Sequence, residues 1–338
     1  MSYRVALVAG DPSEYRGGVS RLVRILRDGL EGRGHEVDCF APSHVLAELK
    51  ISAVALRDYG QYDVVHINGP TPFLSDAICL NPTVRRLVLT YHSDNEWLSP
   101  ALAHSYKAVH RLLHNRTDRV VVSTQSYADA YGSHPGRVRV VPFPGPAWAA
   151  RPDVLRGKPR EFTVLFVGQL RPYKGVPVLL EAARRQPKVR FVIAGDGRLR
   201  STLEELSRGL DNVEFVGSLS DDDLQSAYSS AHVVCLPSTN RSEAFGLALL
   251  EGATFGAVPI ASDLLGVNEN VRTLQGEVFR VGDFLDLSNL IRHFDDDRQE
   301  WEKRARATVA SAGAYNAVHT RARYVEQHEQ LYNELVKM

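Results

Sequence analysis

Short apolar runs recur along the chain, each followed by a polar loop and then by residues at helical spacing. In the first half the runs lie at 3–9, 36–41, 62–68, 86–91, 119–123 and 137–141. In the second half they lie at 162–167, 189–194, 214–216, 233–236 and 257–261, with a further short run past Gly276. Runs of this length, bounded by turn residues, predict buried strands. Between them, residues 19–33 place Leu22, Ile25, Leu26 and Leu30 on one helical face. Residues 101–119 carry a similar stripe of Leu102, Tyr106, Val109 and Leu113. Helices are also predicted over 178–185, from Phe245 onward, and over a long C-terminal stretch from about Ala317 to Met338. Strands that alternate with helices in both halves predict two parallel-sheet units. Five prolines and two glycines between residues 142 and 159 read as the linker that separates them.

Composition narrows the class. At 338 residues the chain is long enough for two domains. It is 24% charged and 44% hydrophobic, which is globular rather than disordered. The formal net charge is zero, which gives no bulk electrostatic case for nucleic acid. Cys39, Cys79 and Cys235 are far apart, form no metal spacing and no even disulfide framework, and point to a reducing, cytoplasmic compartment. The first residues read as a strand and not as a signal peptide, and no apolar run approaches the ~20 residues of a membrane span.

Candidate chemistry gathers where predicted strands end. LPSTNRSEAFGLALLE (236–251) reads as a strand end, a polar loop and a helix start, with Glu243 just before the helix and Glu251 about two turns into it. In open α/β sheets ligands bind at such ends. Both carboxylates are equally compatible with a solvated helix start favoured by the helix dipole. GQLRPYKG (168–175) is a basic loop between a strand and a helix, and its Arg171 and Lys174 suit a phosphate contact that needs no metal. Gly17 and Gly18 open a helix after the first strand, as a tight turn or as an anion cradle. His92 and Asp94 follow a strand in TYHSD; the histidine reads as a core residue or as a hydrogen-bond partner for a hydroxyl. Ser220 with Asp221, Asp222 and Asp223 reads as a helix cap rather than a metal motif. Residues 101–119 are basic, which fits either a solvated face or contact with an anionic membrane or a phosphate-bearing acceptor.

Together these motifs resemble a known family. Glu243 and Glu251, with Phe245 and Gly246 between them, resemble the Glu-x7-Glu signature of the retaining glycosyltransferases of family 4, which have the GT-B fold. GATFGAVPIASDLLGVNE continues the likeness, GQLRPYKG resembles the family's diphosphate loop, and TYHSD resembles its N-domain strand end. The resemblance covers nearly the whole chain, most specifically 162–270.

The resemblance implies two Rossmann-like α/β domains flanking a cleft, with the last helix crossing back to the first domain. The domains would then be 1–150 with about 318–338, and 151–317. It implies that Glu243 binds sugar hydroxyls near the anomeric centre, that Glu251 binds the ribose, and that Lys174 holds the diphosphate. Gln169 stands where the family has an arginine, a departure that Arg171 is placed to offset. The resemblance further sets Gly17 and Gly18 against the diphosphate and the acceptor, and His92 against the donor sugar. Asp196 and the Gly217 backbone would border the nucleotide, Gly266 and Val267 would offer N–H groups to the diphosphate, and Asp94 would meet the acceptor. The implied reaction moves a sugar from a UDP- or GDP-linked donor, of mannosyl or glucosyl type, to a glycan, lipid-linked or small-molecule acceptor. It proceeds with retention and requires no cofactor and no metal. The implied place is cytoplasmic, with the 101–119 helix as a contact to the inner face of the membrane. An inverting transferase or an epimerase with His92 as its base, and a non-catalytic sugar-nucleotide binder, are the other readings.

Overall fold

The computed structural model describes residues 2–10, 17–42, 53–94, 115–131, 136–148 and 153–338. The chain divides into two compact units, residues 1–144 with 319–338, and residues 145–318.

The first unit is built on β1 (Arg4–Ala9), α1 (Gly18–Glu31), β2 (Glu36–Phe40), β3 (Val64–Gly69), α2 (Leu74–Leu80), β4 (Leu87–Tyr91), β5 (Arg119–Val122), α3 (Gln125–Tyr131) and β6 (Val138–Val140). Its strands form one six-stranded sheet in the order β2-β1-β3-β4-β5-β6, and every pairing is parallel. A parallel sheet is covered on both faces, so its central strands are apolar throughout rather than alternating. Val5 to Val8, Val64, Val65 and Val88 to Leu89 accordingly bury at 0–1% exposure.

The second unit carries β7 (Thr163–Val167), α4 (Val176–Arg185), β8 (Arg190–Ala194), α5 (Arg200–Leu206), β9 (Val213–Gly217), α6 (Asp221–Ser230), β10 (Val233–Leu236), α7 (Leu247–Thr254), β11 (Val258–Ser262), α8 (Val267–Thr273), β12 (Glu277–Phe279), α9 (Phe284–Asp296) and α10 (Arg298–Val318). The strand order is β12-β11-β10-β7-β8-β9, again all parallel. The order reverses between β7 and β10. Such a switch point in the strand order is the place where doubly wound sheets bind ligands. Ser220 caps α6 as the sequence predicts, its Oγ accepting from the Asp223 amide at 3.2 Å.

Three predicted helices differ from those observed. The C-terminal stretch is two helices rather than one starting near Ala317. α10 ends at Val318, and α11 (Arg321–Lys337) begins after Thr320, whose extended backbone and side chain, accepting from the Arg323 amide at 3.1 Å, form a cap. α11 groups with the first unit and lays Val325 over Gly29 of α1, where an added Cβ would stand 2.3 Å from a Val325 methyl. The helix predicted from Phe245 starts instead at Leu247, because Gly246 has φ 76°, outside the helical region. Glu251 is therefore about one turn into α7. The predicted basic helix cannot reach Arg119: residues 115–118 are turn, Arg119 pairs with Val88 in the sheet, and the Asp118 carboxylate takes the Leu87 amide at 2.7 Å. Its remainder, 101–114, lies outside the described residues, and the membrane contact read from it lies there too. Among the described residues no helix is long and apolar enough to cross a membrane.

The Thr320 cap is testable. Thr320→Ala removes one acceptor from the first turn of α11 and should cost about 1 kcal/mol. The expected signs are a lower urea midpoint and faster amide exchange confined to the start of α11. Unchanged exchange there would mean that packing against α1, and not the cap, sets the helix start.

Candidate functional site

In the second unit the backbone itself builds the sheet edge on which the site rests. Gly168 N donates to Ala194 O at 3.0 Å, Leu170 N to Asp196 O at 2.9 Å, and Gly195 N to Gly217 O at 2.7 Å. The loops after β7, β8 and β9 are thus bonded to one another. A Cβ on Gly195, whose φ is 132°, would lie 2.0 Å from the Gly168 carbonyl oxygen, so no other residue fits there. At the switch point, the loop after β10 is tied to the loop after β7, with Thr239 N donating to Tyr173 O at 2.7 Å. Gly175 makes this possible. It has φ 67°, and an added Cβ would stand 1.8 Å from the Pro237 carbonyl oxygen.

That junction brings together two residues singled out by the sequence, 69 positions apart. Lys174 Nζ donates to Glu243 Oε2 at 2.5 Å, with both side chains largely buried. The fully buried Ser238 adds a longer contact, its Oγ donating to the same carboxylate oxygen at 3.4 Å. Burial alone would lower the Lys174 amine, but Glu243, with help from Tyr173, outweighs it and holds the amine above its ordinary value. Lys174 is therefore a fixed cation. Arg171 is exposed on the same loop, close enough for its charge to oppose that of Lys174. The Arg171 amide bonds to the Gln169 carbonyl at 2.8 Å.

Glu251 sits differently. It is buried at 7% exposure, and its Oε2 accepts from the Tyr228 hydroxyl at 2.8 Å. Tyr228 lies on α6, stacks against Phe255 and meets Trp148 at 6.2 Å. Its carbonyl accepts from Lys158 Nζ at 3.2 Å, and burial lowers that amine to about 7. Buried Phe245 and Gly246 precede α7, and the Phe245 carbonyl accepts from Asn270 of α8 at 2.7 Å. Gly266 caps α8 and Val267 opens it. Asp196 is exposed, with Arg200 3.9 Å from its Oδ2, while Gly217 ends β9 with Arg200 above it.

In the first unit, the residues with candidate chemistry lie at the ends of β1, β3 and β4. Gly17 caps α1 in an extended conformation and Gly18 begins it; the rest of that loop, 11–16, lies outside the described residues. Asp94 Oδ1 accepts from Tyr91 at 2.7 Å. His92 is buried, packs against Phe143 at 5.4 Å, and its Nε2 faces Asn68 Oδ1 at 3.3 Å. Behind it lie His66 and His328, their rings stacked at 5.4 Å. His66 bonds Tyr332 at 2.6 Å and Thr90 at 2.7 Å. Burial, then repulsion from His328, lowers His92 to about 3. Burial lowers His328 to about 4 and His66 well below its ordinary value. Sequence reasoning does not single out Asn68 or Tyr228. The signal for Asn68 was a polar residue closing the apolar run of β3; Tyr228 carried none. Among the described residues no group of three His, Cys, Asp or Glu side chains is arranged around a metal ion.

The three histidines dictate an acid response. Each titrates near 6.5 in the unfolded chain and far lower in the folded one. Below pH 6.5 the unfolded chain binds more protons, so stability falls as pH drops and goes on falling toward the folded-state values. At pH 5 each histidine should have cost on the order of 2 kcal/mol. Urea unfolding at pH 7 and pH 5 checks this. An unchanged midpoint would contradict their neutral burial.

Comparison with known proteins follows the same two units. Residues 44–144 match Glycosyltransferase Family 4, and residues 151–311 match Glycosyl transferases group 1. The O-antigen chain mannosyltransferase C of Escherichia coli is 31% identical over 290 residues, which span 75% of this chain and 77% of that protein. The sucrose-phosphate synthase of Thermosynechococcus elongatus superimposes with a TM-score of 0.79 at 21% identity, over 98% of this chain and 99% of that one. Anabaena HepE, solved in complex with UDP-glucose, gives 0.75 at 20% identity over 98% and 100%.

Proposed function

We propose that this chain, which belongs to the family 4-like glycosyltransferases, transfers a mannosyl group from a nucleoside-diphosphate sugar to a glycan acceptor, with retention and without a divalent metal. The observation that carries this reading is the Lys174–Glu243 pair at 2.5 Å, at the point where the strand order reverses. It sets a fixed cation beside a carboxylate where a ligand laid on the sheet edge would end.

Sugar transfer breaks the bond between the anomeric carbon and a diphosphate oxygen. Negative charge grows on the leaving group while the anomeric carbon becomes cation-like. In this reading Lys174 donates to the diphosphate, and Arg171 on the same loop adds a second positive charge in place of the arginine missing at Gln169. Gly17, Gly18, Gly266 and Val267 supply backbone N–H groups. A fixed cation at Lys174, joined by the Arg171 charge, stabilises the leaving group as a divalent ion would. Glu243, released from Lys174, accepts from sugar hydroxyls, and Glu251 takes the ribose. The acceptor oxygen bonds to the anomeric carbon on the face the diphosphate leaves, and its proton passes to a diphosphate oxygen. Asp196 and Gly217 border the nucleotide, and Asp94 meets the acceptor.

Retention is what the Glu-x7-Glu resemblance implies, and the state of His92 weighs against the inverting alternative that would use it as base. An inverting transferase needs a base near neutral pKa, and His92 is lowered to about 3. The mannosyl donor and glycan acceptor are supported by the likeness to an O-antigen chain mannosyltransferase. A nucleoside-diphosphate donor is supported by the shared fold with HepE, which binds UDP-glucose.

The ion pair yields opposite expectations for its two members. Glu243→Gln should lower transfer at least about 100-fold yet bind GDP or UDP a few fold more tightly in calorimetry, because Lys174 then has only the diphosphate as counter-charge. Lys174→Ala should weaken the same nucleotide about tenfold to a hundredfold. Turnover should persist in EDTA, and proton NMR of the first product should show the donor's anomeric configuration. Wild-type turnover in Glu243→Gln sinks the site assignment, and an inverted product sinks retention.

A further inference from the structure

In the reaction above, Glu243 leaves Lys174 for the sugar, and the one carboxylate that orients the ammonium is lost. A lysine head sits on a flexible four-carbon stem and is free to swing once released. A cation used in this way needs a second contact that does not depend on Glu243. The half-buried Tyr173, to which the reaction gives no part, is placed to make it.

Side chains adjacent in sequence seldom face each other, but a tight turn folds these two together. Residues Pro172–Lys174 form one 3-10 turn, entered from an extended Arg171 and left at Gly175 with φ 67°. Lys174 Nζ lies over the Tyr173 ring, 5.4 Å from its centre. That is within the ~6 Å over which an ammonium is drawn to the negative face of an aromatic ring. Tyr173 is itself anchored. Its carbonyl oxygen accepts from the Thr239 amide at 2.7 Å and from Thr239 Oγ1 at 3.3 Å, whatever Glu243 does. The lysine head also passes Gly168, where an added Cβ would touch both Cε and Nζ at 3.6 Å. Burial, the largest influence on the phenol, holds its pKa above the ordinary value, so the ring is neutral at pH 7.

We propose that Tyr173 is a positioning residue for Lys174: the face of its ring keeps the ammonium aimed at the diphosphate while Glu243 is engaged with the sugar. A neutral ring suits this task better than a second carboxylate. It favours one direction for the cation without cancelling its charge, and an arriving anion has nothing to displace from it. The ring and the carboxylate thus hold Lys174 in two different states of the site, Glu243 when it is empty and Tyr173 throughout. This inference rests on the glycosyl-transfer reading for its ligand but not for the contact between ring and ammonium.

Two measurements on the full chain separate ligand from contact. In the first, calorimetry with GDP and UDP is run on the wild type, Tyr173→Leu, Lys174→Met and the double variant. Tyr173→Leu should weaken the tighter nucleotide about threefold to thirtyfold. In the Lys174→Met background the same change should cost less than about twofold, since no ammonium remains to be aimed. Tyr173→Phe keeps the ring face and should recover affinity to within about twofold of wild type. Equal losses in both backgrounds would mean that Tyr173 only supports the loop, and they overturn the proposal; so does wild-type affinity in Tyr173→Leu. Tyr173→Met takes the place of the leucine variant if that one does not fold. In the second, proton spectra follow the Lys174 ε-methylene, identified by its loss in Lys174→Met. In Glu243→Gln these protons should still be shifted upfield by the ring, and adding Tyr173→Leu should remove the shift. No upfield shift in Glu243→Gln overturns the role of the ring. A wild type that binds neither nucleotide defeats the function proposed above and the diphosphate half of this inference with it, while the proton shift still decides whether Tyr173 holds the ammonium.

Discussion

A charge placed out of water must be met by another charge or be given up, and the second unit meets it with Glu243. The Lys174 amine is mostly buried, and burial acts against its proton. Glu243 at 2.5 Å reverses that balance. Much of the surrounding geometry serves this meeting. Gly175 lets the loop after β7 press against the Pro237 carbonyl, Thr239 bonds Tyr173 across the junction, and Ser238 reaches the same carboxylate. The Gly175–Pro237 and Thr239–Tyr173 contacts join distant residues and depend on β7 and β10 being neighbours, whereas Ser238 lies five positions from Glu243 in the same loop. A pair this enclosed contributes little net stability, because desolvation offsets its attraction. Its value lies in keeping a cation poised where an anion is to bind. In the proposed reaction, diphosphate binding exchanges one counter-charge of Lys174 for another and turns the Glu243 carboxylate over to the sugar hydroxyls.

The first unit handles buried polarity in the opposite way. His66, His92 and His328 stay neutral and rely on hydrogen bonds rather than ion pairs. His66 is fully satisfied by Tyr332 and Thr90, which locks α11 onto β3 and β4. His92 and Asn68 are satisfied only toward each other. Neutral groups suit a hydroxyl-bearing ligand, since a sugar offers matched donors and acceptors and no charge.

What the sequence displayed was what depends on local chemistry. The strands of both sheets fall within a residue or two of their apolar runs, because a parallel sheet buries both faces and leaves an unbroken apolar signal. The strand ends, and so the loops 168–175 and 237–243, were legible for the same reason. Backbone exceptions were less visible. Gly246 delays α7 because of a positive φ, and Thr320 splits a continuous helical pattern through one capping bond. The 101–119 pattern ran on to Arg119, although that residue begins β5, because a lone charged residue at a strand start carries no signal against a helix. Contacts between distant residues were invisible. The sequence showed that Lys174 and Glu243 are both near strand ends, but no spacing rule joins positions 69 apart. Asn68 was hidden because one polar residue at the end of a strand is an ordinary way for a strand to stop.

The two carboxylates of the Glu-x7-Glu pattern show how far spacing alone can mislead. By spacing they are two carboxylates of one helix start, one just before it and one inside it. In the fold, Glu243 lies before Gly246 in a loop and is tied to Lys174, whereas Glu251 lies inside α7 and accepts from Tyr228. A carboxylate paired with a cation changes partner when an anion arrives. A carboxylate held by a phenol keeps one oxygen occupied by a neutral donor and offers its remaining acceptor capacity without losing a counter-charge. The first is built to change partners during a cycle and the second to stay put. Their different neighbours, rather than their shared residue type, are what suits Glu243 to the proposed sugar contact and Glu251 to the proposed ribose contact.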